Sequence, residues 1–522
     1  MKKKIGIIGA GISGLLACKH TMEKGFEPIV FEARSDIGGV WNQTIQSTKL
    51  QVPKFYYQFT DFPWPSSVQE TFPDHKQVLE YLRAYAQHFN IVPRIKFNTR
   101  VKSIDYVNSS SEYEDMVGME LWGGTGFAFS PAGKWEVSFQ DARDPSSPLQ
   151  VYQMDFVIIC IGKYSDLPNL PKFPVNKGPE VFSGKVLHAQ DYAAMDDDRA
   201  ADFVRDKLVT VVGFQKSAVD IAAEVAARNG VQHPCTMVFR TVHWLITESV
   251  MLLFLKGLNR FSELSIHKPT EGFFSWLLAS LLSPMMWIFI TLIEWYLGWK
   301  FPLKKLNMVP THGLLKQIYI CMVSNVPRNF FNNVEKGSII LKKSGTFTFC
   351  KDGVILEGEH NHIPTDIVIF ATGYRSDDKI KNLFKSTYFQ KCIIGSSTPF
   401  FRDCIHPRIP QLAILGYAVN PSILFATEMR SMWVAHFLTG KFKLPSINHM
   451  EAEAIKWEKV SRKYGGERYK RSCVSAMLPI YSNDLLCKDM GYNPRRKKSL
   501  LAELFDPYTP DDYKFLNVCV EK

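Results

Sequence analysis

Apolar positions near the N-terminus switch from one period to another and back. Ile5 to Ile8 is an unbroken apolar run, Leu15 to Glu23 has helical spacing, and Pro28 to Phe31 is apolar again. A short apolar run bounded by glycine reads as a buried strand, and a longer 3.6-period stretch as a helix. The pattern predicts a strand–helix–strand unit of the usual size, with Gly25 stopping the helix and Glu32 ending the second strand. The same pattern returns over Leu208 to Arg240, with a helix running to about Arg228 and stopped by Gly230. Val78 to Phe89 predicts a further helix. Ile95 to Tyr106 and Trp135 to Phe139 alternate as strands. Lys49 to Pro73, rich in Pro and aromatic residues, and Asn108 to Lys134, rich in Gly and Ser, read as loops.

Two strings rhyme. "DFVIICIGKY" begins at Asp155 and "DIVIFATGYR" at Asp366, and each runs acid, apolar strand, then glycine seven residues after the acid. Both read as strands that end at a domain crossover. The expected class is α/β, with two dinucleotide-binding Rossmann-like domains, one inserted into the other. The first is interrupted near Gly162 and resumes near Ser338. The expected boundaries are 1–165, 166–335 with an apolar helical insert at about 245–310, and 336–522 including a C-terminal tail. The 522 residues suffice for two or three cores.

The insert holds "FFSWLLASLLSPMMWIFITLIEWYLGW", Phe273 to Trp299, whose one charge is Glu294. Its length would cross a bilayer. Ser283-Pro284 interrupts its middle, where a helix would kink or break, leaving pieces too short to span. Three readings stay open: a packed helical hairpin, an element dipping into a membrane surface, and a true span. Trp276, Trp287, Trp295 and Trp299 suit the second.

With 46% hydrophobic and 22% charged residues, no long disordered stretch is expected. The ten cysteines include no C-x-x-C pair, which argues against a zinc ribbon or a dithiol centre, and no metal is expected. The glycines inside the first apolar run and the lack of a small-residue cleavage site argue against a signal peptide. An intracellular, reducing setting with free thiols is expected, either cytoplasmic or peripheral to the endoplasmic reticulum membrane. The net charge of +11 includes "NPRRKK", Asn493 to Lys498, read as a solvated loop or a contact with an anionic surface. No nucleic-acid motif accompanies it.

"GAGISG" supplies Gly9, Gly11 and Gly14. These allow a tight turn, close approach of a pyrophosphate, and close helix–strand packing, with the helix N-terminus facing the phosphates. Glu32, placed at the end of the next strand, accepts from ribose hydroxyls. Gly38, Gly39 and Trp41 follow directly and admit a long ligand lying past the adenosine, which fits FAD. The second loop, "GFQKSA", keeps Gly213 but has Gln215 and Ala218 for the other two glycines. Lys216 and Ser217 offer donors to phosphate. Arg240, with Thr241, stands where an acid would mark NAD, and a guanidinium pairs with a 2′-phosphate, which reads as NADPH.

These residues, with "FSGKVLHAQDY" (Phe182, Gly184, His188, Tyr192) and "FATGY" (Phe370 to Tyr374), resemble the flavin-containing monooxygenases. "FTDFPWP", "FPDHKQVLEYL", "CIHPRIPQLAILGY" and "NPRRKK" resemble the plant branch, which includes an N-hydroxylating type. The resemblance extends the FAD set to Gly9, Ala10, Gly11, Ile12, Ser13, Gly14, Glu32, Arg34, Gly39, Val40, Trp41, Val101, Thr372 and Gly373. It extends the NADPH set to Gly213, Phe214, Gln215, Lys216, Ser217, Ala218, Arg240 and Thr241. It sets Gln51 where many members carry a flavin-side Asn, a role the shared amide allows. His188 is expected to be a hinge or packing residue, not a catalytic base. Tyr192 stands where Baeyer–Villiger relatives usually carry Trp, which favours heteroatom oxygenation.

The resemblance implies that O₂ adds to NADPH-reduced FAD as a C4a-hydroperoxide, which passes one oxygen to a soft nucleophile. The first expectation is N-hydroxylation or N-oxygenation of a small amine or amino-acid derivative. S-oxygenation of a thioether and oxidative decarboxylation of a 2-oxo acid are alternatives. A flavin-binding membrane-surface protein with weak oxygenase activity is an alternative of another class.

Overall fold

The computed structural model describes residues 2–107, 119–129, 133–417, 422–466, 473 and 477–516. Part of the predicted loop Asn108 to Lys134 lies outside them.

Two five-stranded parallel sheets organise the chain. In the first, the strands lie in the order Leu412–Ile414, Phe156–Ile159, Lys4–Ile8, Glu27–Phe31 and Ile95–Lys96. In the second, the order is Lys185–His188, Ile367–Phe370, Val209–Val212, Cys235–Phe239 and Ile339–Lys343. Their central strands are buried on both faces, so they read as continuous apolar runs rather than alternating ones.

The two sheets match strand for strand. Each carries a three-stranded antiparallel sheet in the same connection. One is Thr99–Val107, Lys134–Asp141 and Gln150–Met154, and the other is Phe347–Cys350, Gly353–Leu356 and His362–Pro364. The outermost strand differs. It comes last in the chain for the first sheet and first for the second.

The rhyming strings occupy equivalent strands, and their shared acid has a physical reason. Asp155 Oδ2 accepts from the Lys4 amide at 2.8 Å, and Asp366 Oδ2 accepts from the Leu208 amide at 2.8 Å. Each carboxylate thereby ties down the start of its loop-bearing strand. Gly162 and Gly373 are both left-handed, with φ of 66° and 83°, where the chain turns off each sheet.

The equivalence corrects one expectation. Strands Ile339–Lys343 and Ile367–Phe370 hydrogen-bond into the second sheet, so the chain returns to the first unit after Phe370 and not near Ser338. The rhyme marks the same position in two repeats, which the sequence reading took for two ends of one insertion.

A second correction concerns the apolar segment. Phe273–Lys300 is one continuous 28-residue helix with Pro284 inside it, not a hairpin. Proline leaves the carbonyl four residues earlier without its amide partner. The Ser283 hydroxyl donates to that carbonyl, Ser280 O, at 3.3 Å, which restores part of the lost bonding.

The expected set of free thiols also shrinks by two. Cys321 and Cys473 form a disulfide with a Cα–Cα distance of 5.6 Å. They lie 152 positions apart, a proximity that spacing along the chain cannot reveal.

Helix Ile423–Leu438 had no role in the sequence reading. It packs on the first-loop helix Ile12–Glu23, and every residue from Leu424 to Leu438 is buried. Its buried polar groups Glu428, Arg430 and His436 are each hydrogen-bonded, as burial of such groups requires.

Candidate functional site

Both glycine loops leave the C-terminal edge of a central strand with the same backbone course. Gly9 is left-handed (φ +102°), and its amide donates to Phe31 O at 2.8 Å. Gly213 has φ +138°, and its amide donates to Val238 O at 2.9 Å. A Cβ on Gly9 would lie 2.7 Å from Cys160 O, and one on Gly213 would lie 2.5 Å from Ala371 O. Cys160 and Ala371 occupy the same place in the rhyming strands. Either substitution would therefore push a loop off its neighbouring strand.

In the first loop, a Cβ on Gly14 would lie 1.8 Å from the Gly9 carbonyl oxygen. The helix starts this close to its strand because position 14 has no side chain. Gly11 caps the helix with no side-chain bond to the first-turn amides of Ile12 and Ser13. Those amides are donors at the positive end of the helix dipole. Gly11 faces Gly39: a Cβ on Gly39 would lie 3.1 Å from Gly11 Cα, and one on Gly11 would lie 3.5 Å from Gly39 Cα. Any side chain at either position would fill the cleft between these backbones, so the cradle fits a pyrophosphate.

Glu32 is buried and draws the pieces together. Its Oε2 accepts from the Ala10 amide at 2.7 Å and its Oε1 from the Arg34 amide at 2.9 Å. Arg34 Nη1 donates to Gly39 O at 3.1 Å, and the Gly38 amide donates to Ala10 O at 3.0 Å. Each carboxylate oxygen of Glu32 keeps a lone pair for a ribose hydroxyl. Trp41 donates to the Tyr57 hydroxyl at 2.9 Å, while Val40 is exposed. Val101 is half-buried in strand Thr99–Val107, whose Thr99 amide donates to Glu32 O at 2.7 Å.

The sequence reading missed Gly416 (φ +73°), where a Cβ would lie 2.0 Å from Ser13 Oγ. The turn after Leu412–Ile414 thus presses against the start of the first-loop helix. The quoted "LAILGY" held that signal, but nothing local linked it to residue 13.

In the second loop, Gln215 begins the helix Lys216–Asn229 with φ −95° and ψ −179°, close to the −74° and −174° of Gly11. This is extended backbone that any residue adopts, so the loop keeps its course without the glycine. The Gln215 Nε2 atom is buried and has no hydrogen-bond partner among the described residues. Ala218 stands in for Gly14. Ser217 is half-buried beside it.

Two expectations change here. Lys216 was assigned to phosphate, but its ammonium pairs with Asp220 at 2.6 Å one turn along its own helix. Asp220 is buried, and burial raises its pKa above the usual carboxylate range. The i,i+4 spacing favours this pairing.

Arg240 does not sit at the acid's position. Ile8 pairs with Phe31, and Val212 with Val238. Glu32 therefore corresponds to Phe239, and Arg240 comes one residue later. The Phe239 ring packs on Phe214 with centroids 4.7 Å apart. Phe214 corresponds to Ala10, so a ring pair replaces the bond between the Glu32 carboxylate and the Ala10 amide. No acid remains there to repel a phosphate. Arg240 is exposed and makes no ion pair or hydrogen bond among the described residues, and Thr241 beside it is half-buried.

The motif residues brace the second unit, and Tyr192 links it to the first. His188 Nε2 donates to Gly373 O at 3.1 Å, and Nδ1 accepts from the Gln190 amide at 3.1 Å. Burial depresses its pKa below the ordinary imidazole range, so the ring is neutral. Both ring nitrogens of His188 are thereby occupied. A Cβ on Gly184 would lie 2.3 Å from Asp366 O, and Phe182 packs on Phe349 at 5.5 Å. The Tyr192 hydroxyl donates to Glu224 Oε1 at 2.8 Å, and Glu224 Oε2 accepts from the Ser47 amide at 3.3 Å. Thr372 and Gly373 lie where the chain leaves the second sheet, bonded to Asn169.

Gln51 also bridges the units. Its side-chain carbonyl accepts from the Asn325 amide at 3.1 Å, and its backbone carbonyl from Asn325 Nδ2 at 2.7 Å. Asn325 and Glu224 were not foreseen, since each gains meaning through a partner in the other unit.

A family model described as "Flavin-binding monooxygenase-like" matches residues 2–495. The Arabidopsis thaliana protein "Probable flavin-containing monooxygenase 1" is 36% identical, covering 98% of this chain and 96% of its own. "Putative flavin-containing monooxygenase 2" of the same plant is 34% identical, covering 94% and 98%. The solved structure "Oxidized steroid monooxygenase bound to NADP" shares the fold with a TM-score of 0.65 and 15% identity, covering 94% and 98%. Two matched Rossmann units, a glycine cradle with its buried acid, a second loop free of one, and a full-length family match lead to one conclusion: the chain belongs to the flavin-binding monooxygenase-like family and is an oxidoreductase that uses FAD and NADPH.

Proposed function

We propose that this monooxygenase hydroxylates or oxygenates the nitrogen of a small amine or amino-acid derivative, with FAD held at the first loop and NADPH at the second. The observation that carries the assignment of loops is their opposite ending. One closes on the carboxylate of Glu32, the other on a phenylalanine pair followed by the exposed guanidinium of Arg240.

When bound, the flavin supplies the redox chemistry that the side chains lack. The chain supplies placement. Gly11 and Gly39 admit the pyrophosphate, the first-turn amides donate to it, and Glu32 accepts from ribose. At the second loop, Gln215 Nε2 donates to phosphate and Arg240 pairs with the 2′-phosphate. Gln51 and Asn325 form an amide pair that joins the units and helps keep water from the reacting face. In the overall reaction, one oxygen atom of O₂ enters the substrate and the other leaves as water. NADPH and a proton supply the hydride and the second hydrogen.

Nitrogen as the target is supported by Tyr192 at the end of its motif and by the plant-branch resemblance. The test is NADPH consumption by the purified yellow protein with amines, amino acids, thioethers and 2-oxo acids, with products identified by mass. The reading expects a substrate-dependent gain of one oxygen on nitrogen. A sulfoxide, or carbon dioxide from a 2-oxo acid, with amines inert, would overturn it.

A further inference from the structure

Residues 45–48 belong to the first unit by chain order but sit on the second. They form a tight turn, closed by the Thr48 amide donating to Ile45 O at 2.9 Å. The first unit holds the far end of this turn. The His75 amide donates to Thr48 O at 3.1 Å, and the Leu50 amide to Pro73 O at 2.9 Å. The near end is seated elsewhere. Ile45 is 5% exposed and packs in the apolar core of the second unit, which includes the second-loop helix. The Ser47 amide donates to Glu224 Oε2 at 3.3 Å. Glu224 is itself buried on helix Lys216–Asn229, and its Oε1 accepts from the Tyr192 hydroxyl at 2.8 Å and lies 3.3 Å from Arg228 Nη2. Just past the turn, Gln51 meets Asn325.

Helix geometry gives this contact a direction. At 100° per residue, Glu224 lies within about 20° of Ser217 and about 10 Å further along the helix. The carboxylate that grips the turn thus shares a face with a first-turn donor of the second loop. The turn itself follows closely on Gly39 and Trp41 of the first cradle. One short piece of chain therefore joins the first cofactor's cradle to the helix that carries the second.

We infer that residues 45–48 pin the register between the two cofactor sites, and that Glu224 is the positioning residue that holds the pin. By gripping the Ser47 amide, Glu224 fixes where the second-loop helix, and the nucleotide on it, stands against the first cradle. Burial alone does not call for this bond, since Tyr192 and Arg228 already satisfy the carboxylate within its own unit. A carboxylate also holds an amide more firmly than a neutral acceptor does. The consequence falls on coupling. While the pin holds, water is kept from the reacting face and the oxygen atom goes to substrate. When it slips, NADPH, a proton and O₂ yield NADP⁺ and hydrogen peroxide.

This role rests on NADPH binding at the second loop, not on which atom is oxygenated. The purified flavoprotein and its Glu224→Ala variant are compared in three ways. Trypsin cleavage after Lys49, exposed beside the turn, reads the pin directly and should quicken about tenfold in the variant. NADP⁺, titrated against the flavin absorbance, should bind about three- to tenfold more weakly. Peroxide released from NADPH and O₂ with no substrate added should rise about threefold or more, with flavin content unchanged. Glu224→Gln keeps the shape and an acceptor for the Ser47 amide, and should recover most of all three. Ile45→Ala makes the same test from the first unit, should Glu224→Ala not fold. Cleavage after Lys49 at the wild-type rate in these alanine variants would overturn the inference. So would a loosened turn with NADP⁺ affinity and peroxide release unchanged, which marks the contact as structural only. Both alanine variants should keep the preference for NADPH over NADH, because Arg240 is untouched. Arg240→Asp tests the loop assignment itself, so the two failures are told apart.

Discussion

The two nucleotide loops leave their strands alike, but the first helix starts too close to its strand for a Cβ at Gly14, whereas the second leaves room for that of Ala218. The first loop brings three pieces of chain within contact: Gly9 against Cys160, Gly14 against Gly9, and Gly11 against Gly39. The second reproduces the contact of Gly213 with Ala371 but accepts Gln215 and Ala218. A glycine is therefore needed where another backbone occupies the space of its Cβ, or where φ is positive. A motif read letter by letter treats all three glycines alike and undervalues the second loop.

Substitutions can break this comparison, and the largest effect is expected at Gly14. A Cβ 1.8 Å from the Gly9 carbonyl forces the helix off its strand, at a cost of about 1–3 kcal/mol or more. Gly14→Ala should purify with less than about a tenth of the wild-type flavin, read by absorbance against protein mass. The mirror change, Ala218→Gly, should keep its flavin and cost only ~0.5–1 kcal/mol in thermal unfolding.

Next comes Arg240. Loss of a charge-assisted pair with the 2′-phosphate, and repulsion in its place, should raise the KM for NADPH by about 10- to 100-fold in Arg240→Asp. The KM for NADH should move by less than about threefold. Equal changes would mean that Arg240 does not read the phosphate. At the other acid position, Glu32→Gln keeps the shape but weakens the bonds to the Ala10 amide and to ribose. An about tenfold loss of flavin affinity is expected, equivalent to ~1.4 kcal/mol, measured by titrating apoprotein.

The helix behind the first loop adds a pH dependence. Glu428 is fully buried, and burial pushes its pKa up to about 8, although it accepts from the Thr60 amide and hydroxyl at 2.9 Å. In the unfolded chain it ionises in the ordinary carboxylate range. The folded state therefore binds the extra proton, and this contribution to stability is lost as pH rises from that range to about 8. Glu428→Gln should flatten that part of the melting-temperature profile. The smallest effect is expected at Gln215. Gln215→Gly restores the fingerprint but removes an amide donor, and the KM for NADPH should rise by about threefold, with flavin content unchanged.

Much of this was legible along the chain because it is local. The βαβ periods, the cradle glycines, Glu32 and the rhyming strands each lie within one short stretch. What could not be read depends on register or on distant partners. The shift of Arg240 to one residue past the acid position needed the pairing of Val212 with Val238. The diversion of Lys216 to Asp220 lay in plain i,i+4 view, but phosphate competed as the more attractive partner. The continuity of the helix through Pro284 depended on the Ser283 hydroxyl, and the return of the chain after Phe370 on strand order. Gly416, Asn325 and the Cys321–Cys473 pair gain meaning only through residues far away in sequence.

The central claim is that the first loop holds flavin and the second selects NADPH. Anaerobic mixing with reduced nicotinamide, followed at the flavin absorbance, tests it most directly. At equal subsaturating concentrations, NADPH should bleach the wild-type flavin much faster than NADH, and Arg240→Asp should erase that preference while the protein stays yellow before mixing. A flavin that NADPH leaves oxidised, or a preference that survives Arg240→Asp, would contradict the account.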